Sequence, residues 1–161
     1  MIDYKFNDGG RRAAGYKSKT GDCVIRAFCI LTGADYKESC ELFGVKLLGN
    51  VRGIKKHTYK RIFVKMGLKK ISLTGTRPTF TEAHSRYGNC LITTRKHITA
   101  VIDGALNDIY DWRTYDANFY PNIYVGADDD GIRERKAMTV WVIGNYTGGV
   151  KPAFVSELKL K

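Results

Sequence analysis

An α+β fold, with helices in the first half of the chain packed on an antiparallel sheet from the second half, is what this sequence predicts. Three observations carry it. Apolar residues recur at helical spacing as far as Met66, after which β-branched and aromatic runs take over. Capping-box patterns open two segments, at Asp35-Tyr36-Lys37-Glu38 and at Thr79-Phe80-Thr81-Glu82. Asp103-Gly104, a strong two-residue hairpin signal, joins two of the β-rich runs. Helices and strands do not alternate as regular βα units, so a doubly wound parallel sheet is not expected.

Taken in order, residues 1–20 form a basic, glycine-rich lead-in of loop chemistry, with a short strand at Ile2 to Phe6. Asp22 is placed to cap a first helix, with Cys23 in its first turn and Val24, Ala27, Phe28 and Leu31 on its apolar face, up to Thr32-Gly33. A second helix runs from Asp35 to about Gly44. Ile54, Ile62, Phe63 and Met66 mark a third, which carries Lys56, Lys60 and Arg61 on its opposite face and stops at Gly67. Leu68 to Leu73 reads as a strand, and the Thr79 capping box starts a short helix ending at Gly88. The remaining runs, 89–94, 97–103, 105–112, 123–125 and 137–143, have strand composition.

At 161 residues, 43% hydrophobic and with only three prolines, the chain has the means for one core and reads as a single domain over 1–161. That composition excludes disordered and collagen-like chains. No apolar run approaches the roughly 18 residues that span a bilayer, so no membrane partner is expected. Met1-Ile2-Asp3-Tyr4-Lys5-Phe6 lacks the pattern of a secretory signal, which gives a cytoplasmic expectation.

The net charge of +11 is unevenly spread. From Lys46 to Lys70 there are nine basic residues and no acid, whereas Asp103 to Gly131 holds seven aspartates and only Arg113 against them. A surface built from Lys55, Lys56, Lys60, Arg61 and Lys65 suits nucleic acid or an acidic protein. The aromatic run Tyr115, Phe119, Tyr120 and Tyr124 has acidic neighbours and reads as packing rather than base stacking.

Cys23, Cys29, Cys40 and Cys90 contain no C-x-x-C pair, so neither a structural zinc nor a disulfide framework is expected, and no cofactor is implied. Asp128-Asp129-Asp130-Gly131 opens like a calcium loop, but its twelfth position is Thr139 instead of glutamate, and it reads as an acidic turn. Cys29 and Cys40 fall on apolar helical faces. Cys23 differs, because the partial positive charge of a helix N-terminus and a neighbouring imidazole both favour a thiolate.

His97, at the start of a strand, is the candidate imidazole; His57 and His84 have no evident partners. If Asp103-Gly104 is a two-residue turn, Ile102 pairs with Ala105 and every opposed pair sums to 207, so that His97 faces Tyr110 and Thr99 faces Asp108. Asp108 is then diagonal to His97 on one face of the sheet, with Cβ atoms about 7 to 8 Å apart. A three-residue turn would put Asp111 opposite His97 instead. A cysteine nucleophile, a histidine base and an acid that orients the base are the three roles of thiol-based acyl transfer.

Gly21-Asp22-Cys23-Val24-Ile25-Arg26-Ala27, Thr32-Gly33 and Tyr36, followed by His97-Ile98-Thr99-Ala100-Val101-Ile102-Asp103-Gly104 and Asp108, resemble small papain-like cysteine peptidase domains of bacteriophage and bacterial proteins. Phe6-Asn7-Asp8-Gly9-Gly10-Arg11 and Gly15-Tyr16-Lys17 are similar to the opening of such chains, and the likeness covers roughly 4–112. The resemblance implies a papain-like hydrolase of peptide, isopeptide or amide bonds, in a host cytoplasm if phage-encoded. Cys23 would be the nucleophile, His97 the general base and then acid, and Asp108 the orienting group. Its substrate would be a protein or peptide, an acidic one suiting the charge. Lys17 stands where papain-like peptidases place an oxyanion-hole glutamine, which leaves Asn7, Lys17, Lys19 or Thr20 to accompany the Cys23 N–H. The alternative is a noncatalytic basic module of the same fold.

Overall fold

Six strands form one mixed sheet, and helices cover both of its faces. The computed structural model describes residues 1–16, 21–45, 53–116 and 132–144. In chain order the elements are β1 (Asp3–Phe6), α1 (Cys23–Thr32), α2 (Tyr36–Leu42), α3 (Lys56–Lys65), β2 (Leu68–Ile71), α4 (Phe80–Tyr87), β3 (Cys90–Thr93), β4 (Ile98–Ile102), β5 (Ala105–Asp108), β6 (Thr114–Asp116), β7 (Ile132–Glu134) and β8 (Thr139–Ile143). The sheet order is β1-β5-β4-β3-β8-β2, with β6 and β7 forming a separate antiparallel ribbon. The expected strand at 123–125, the aspartate turn at 128–131 and Lys17, Lys19 and Thr20 lie outside the described residues.

Alternation along the strands explains the two covered faces. Leu91, Ile98, Ala100 and Trp141 turn toward α1, α2 and α3, where Phe28, Phe43, Tyr59 and Phe63 fill the layer. Cys90, Ile92, Val101, Leu106 and Val140 turn the other way, onto Phe80 and Ala83 of α4. The aromatic cluster is interlocked: Phe63 lies edge-on to Trp141, with ring centroids 5.3 Å apart, and stacks on Phe28 at 6.0 Å.

The α+β class holds, and the sheet itself departs from expectation in one respect. It is mixed, because β1 pairs in parallel with β5, from Asp3 with Ala105 to Phe6 with Asp108. Parallel pairing across about a hundred residues leaves no local trace in sequence, whereas the hairpin does. The β4–β5 ladder pairs Ile102 with Ala105, Val101 with Leu106 and Ala100 with Asn107, the register of a two-residue turn. Asp103 at φ 49° and Gly104 at φ 78° supply the left-handed backbone it requires.

Several boundaries also differ; β2, for one, ends at Ile71 instead of Leu73. β5 ends at Asp108 instead of reaching Trp112, so Tyr110 is exposed and does not face His97. The chain leaves the ladder there because the Asp108 carboxylate accepts from the N–H of Ile109, while its carbonyl accepts from Asn7 and Tyr4 on the β1 side. α3 starts at Lys56, leaving Ile54 outside it, and β4 starts one residue after His97. The capping expectations divide. At α4 both arms of the Thr79–Glu82 box form, and Asp35 accepts from the N–H groups of Lys37 and Glu38. Asp22, by contrast, makes no side-chain cap at α1.

Candidate active site

Asp22 fails to cap because its carboxylate is committed elsewhere. It is buried, accepts from the Tyr36 hydroxyl at 2.6 Å, pairs with Arg11 Nε at 3.3 Å and is hydrogen-bonded to Nη1 of Arg26. Burial, together with this hydrogen bond to the Asp22 carboxylate, holds the Tyr36 phenol far above its usual range, so that it stays a donor. The first turn of α1, where the first N–H groups have no acceptor within the helix, is therefore not capped by the Asp22 side chain. Cys23 sits at that turn, partly exposed.

The structure brings Cys23, His97 and Asp108 together. The Cys23 thiol lies within electrostatic reach of the His97 ring, whose Nε2 is 2.6 Å from Asp108 Oδ2. Nε2 being taken by the carboxylate, Nδ1 is the nitrogen left for sulfur. Asp111, the second candidate, is instead paired with Arg113 at 2.8 Å on the exposed surface. The choice between the two was a matter of register, and the two-residue turn decides it.

Electrostatics follow the geometry. Burial pushes the Cys23 thiol up, but the His97 hydrogen bond and charge, the Ile98 backbone N–H and the Arg26 charge outweigh it, and the net shift is downward. Burial likewise pushes His97 down; the hydrogen bonds to Asp108 and Cys23 and their charges overcome it and carry the imidazole up to about 9. A thiolate–imidazolium pair is the state this environment favours. The other thiols contrast with it, since burial pushes both Cys29 and Cys90 up to about 12. All four cysteines are free.

Two contributors carry no signal readable in the sequence. Trp112 stacks on the His97 ring, with centroids 4.5 Å apart and planes inclined by 25°, and the Arg135 guanidinium lies 5.3 Å from the Trp112 ring centre. Arg26, three residues after Cys23 and so on nearly the same face of α1, places Nη2 3.3 Å from Asp108 Oδ1. Spacing could have suggested the Asp22–Arg26 pair, but an i,i+4 ion pair in sequence looks the same buried or solvated.

Of the oxyanion-donor candidates, Asn7 is described: its amide nitrogen donates to Asn107 and its oxygen accepts from the Gly9 N–H. His57 is exposed on α3, and His84 lies in α4 on the other layer. Among the described residues no group of three or more His, Cys, Asp or Glu is disposed to hold a metal ion, and no helix is long and apolar enough to cross a membrane. Comparison with protein-family models, with curated proteins and with solved structures finds no match to this chain.

Proposed function

We propose that this protein is a papain-like thiol hydrolase, acting on peptide, isopeptide or side-chain amide bonds. One observation carries the reading: the His97 ring is hydrogen-bonded to a buried carboxylate and lies within electrostatic reach of a helix-terminal thiol. Cys23 Sγ attacks the carbonyl carbon, and the carbonyl oxygen takes the negative charge beside the Cys23 backbone N–H. His97 gives its Nδ1 proton to the departing amine, leaving a thioester on Cys23. A water molecule then gives a proton back to His97 as its oxygen attacks the thioester, and the carboxylic acid leaves with the Cys23 thiolate restored beside protonated His97. Asp108 keeps the ring in the orientation that both transfers need. A second amine or hydroxyl in place of water would turn the same chemistry into acyl transfer.

The test is the pH dependence of iodoacetamide labelling, read peptide by peptide by mass spectrometry, on the wild type and on His97→Ala. Cys23 is expected to react well below pH 8.5 and to return toward that ordinary value without His97. An ordinary Cys23 in both proteins would remove the proposal.

A second reading has its own observation. Lys55, Lys56, Arg61 and Lys65 are exposed around α3, Lys69 and Lys70 are exposed on β2, and none of them has an ion pair among the described residues. That surface fits a polyanion, either nucleic acid or an acidic protein, whether as substrate or as partner.

A further inference from the structure

Behind the thiol–imidazole–carboxylate set runs a line of alternating charge. Arg11 pairs with Asp22, Asp22 with Arg26, and Arg26 with Asp108, which holds His97. With His97 protonated and Cys23 ionised the alternation continues to sulfur, and the line of six groups is electrically neutral. Arg26 is its third member and is 5% exposed. Its Nη1 and Nη2 each bind one carboxylate, while its Nε has no hydrogen-bond partner.

We propose that Arg26 is a positioning residue for the candidate site: its guanidinium, anchored on Asp22, holds the Asp108 carboxylate with Oδ2 turned to His97. The inference rests on the thiol-hydrolase reading. Three arguments support it.

First, Asp108 Oδ1 is held from the side opposite His97 by Arg26 at 3.3 Å and by the Ile109 N–H at 2.7 Å. The terminal torsion of an aspartate is broad and roughly two-fold, so the Ile109 N–H alone leaves the carboxylate plane free to swing. Second, one element carries both parts. Cys23 and Arg26 belong to the same rigid helix, which fixes the nucleophile and the clamp on the acid relative to each other. Third, stability does not call for this arrangement. Buried ion pairs replaced by packed apolar groups often leave a protein as stable or more so, whereas a planar fork between two carboxylates sets an orientation that no apolar residue can set.

The experiment reads the His97 ring by NMR titration in full-length protein with Cys23→Ala, so that Asp108 is the group raising its proton affinity. The charged and titratable groups around this pair are Asp108, Arg26, Asp22, Arg11, Tyr36 and Tyr4, with Arg135 beyond the Trp112 ring. Two further changes are made in that background. Arg26→Lys keeps the charge and removes the fork; Asp22→Asn with Arg26→Met leaves the net charge of the buried cluster unchanged. Loss of positioning lowers the His97 pKa by about one unit in Arg26→Lys, a tenfold change in proton affinity, and by less in the neutral pair, where removal of a nearby cation offsets part of the fall. A purely electrostatic Arg26 gives the opposite pattern, with no change for Lys and a rise for the neutral pair, because a nearby cation is removed. An unchanged value in Arg26→Lys, or a raised value in either variant, therefore overturns the proposal, and Arg26→Lys decides alone if the neutral pair does not fold. Labelling of Cys23 in the wild type tests the hydrolase reading separately, since the titration is made without the thiol.

Discussion

Asp108 is held by Arg26 and its own following N–H on one oxygen and by His97 on the other, and this predicts how far it differs from its neighbour Asp111. Asp108→Ala leaves Arg26 buried with one carboxylate fewer, which costs about 3–5 kcal/mol, and it slows Cys23 labelling. Asp111→Ala breaks an exposed pair with Arg113, which costs under about 1 kcal/mol, and leaves labelling unchanged. Equal effects in thermal unfolding and labelling would show that Asp108 does not hold His97. The pH dependence of stability has a sign of its own. His97 is raised from the ordinary 6.5 to about 9, so its stabilising contribution is complete below 6.5 and is lost as pH climbs through about 9. Cys23 is lowered from 9.0, so its contribution is complete above that value and is lost as pH falls through the folded one. With the thiol removed the first effect stands alone. Cys23→Ala is thus expected to exceed Cys23→Ala/His97→Gln in stability most at about pH 6, and the gap narrows as pH rises, at lower pH than in the wild type because the share of the rise that Cys23 supplies is gone. A gap that widens with pH would mean that the imidazole is not held protonated.

Among the elements, the lead-in to α1 is held by close approach as well as by charge. Gly9 has φ 63°, and a Cβ there would lie 2.8 Å from the backbone oxygen of Arg26. Gly9→Ala therefore meets both left-handed strain of about 1–3 kcal/mol and a backbone clash, and is expected to lower thermal stability and slow Cys23 labelling together. Thr79→Ala removes the α4 cap on the opposite layer at a cost of about 1 kcal/mol, and labelling should not change; a change would couple the two layers. What the sequence made legible divides along similar lines. Caps, helical faces and the Asp103-Gly104 turn are local patterns, and from them came α1, α2, α4, the hairpin and the nearness of His97 to Asp108. The parallel β1–β5 pairing, the inward turn of the Asp22 carboxylate and the stacking of Trp112 on His97 depend on contacts between distant segments. Nothing in the residues next to Asp22 distinguishes a cap from a buried hub; only Tyr36, Arg11 and Arg26 converging on it do.

Across the whole molecule, the candidate site and the basic surface are separate in origin. The first is built from the start of α1 and the β4–β5 hairpin, and the second from α3 and β2, at the far edge of the sheet order from β1. α3 shares the layer of α1 through Phe28 and Phe63, so the basic face is attached to the same core, and Tyr59 on the inner side of α3 lies within electrostatic reach of Cys23. Lys56, Arg61 and Lys65 project from α3 into solvent, while Tyr59, Ile62 and Phe63 hold its inner face. Replacing the three cations by Ala removes little packing, and the fold should persist. If this face binds a polyanion, the wild type should retain a short DNA duplex or a polyglutamate peptide at low salt. The triple variant should bind either more weakly, and for the duplex each lost phosphate contact should reduce the slope of log affinity against log salt by about 0.9. Cys23 labelling should be the same in both proteins. Slower labelling in the variant would place the basic face within the active site, and unchanged polyanion binding would remove it as a binding surface. Loss of binding with unchanged labelling would define two functional surfaces on one core, with the basic face presenting acidic chains to a thiol that it does not itself tune.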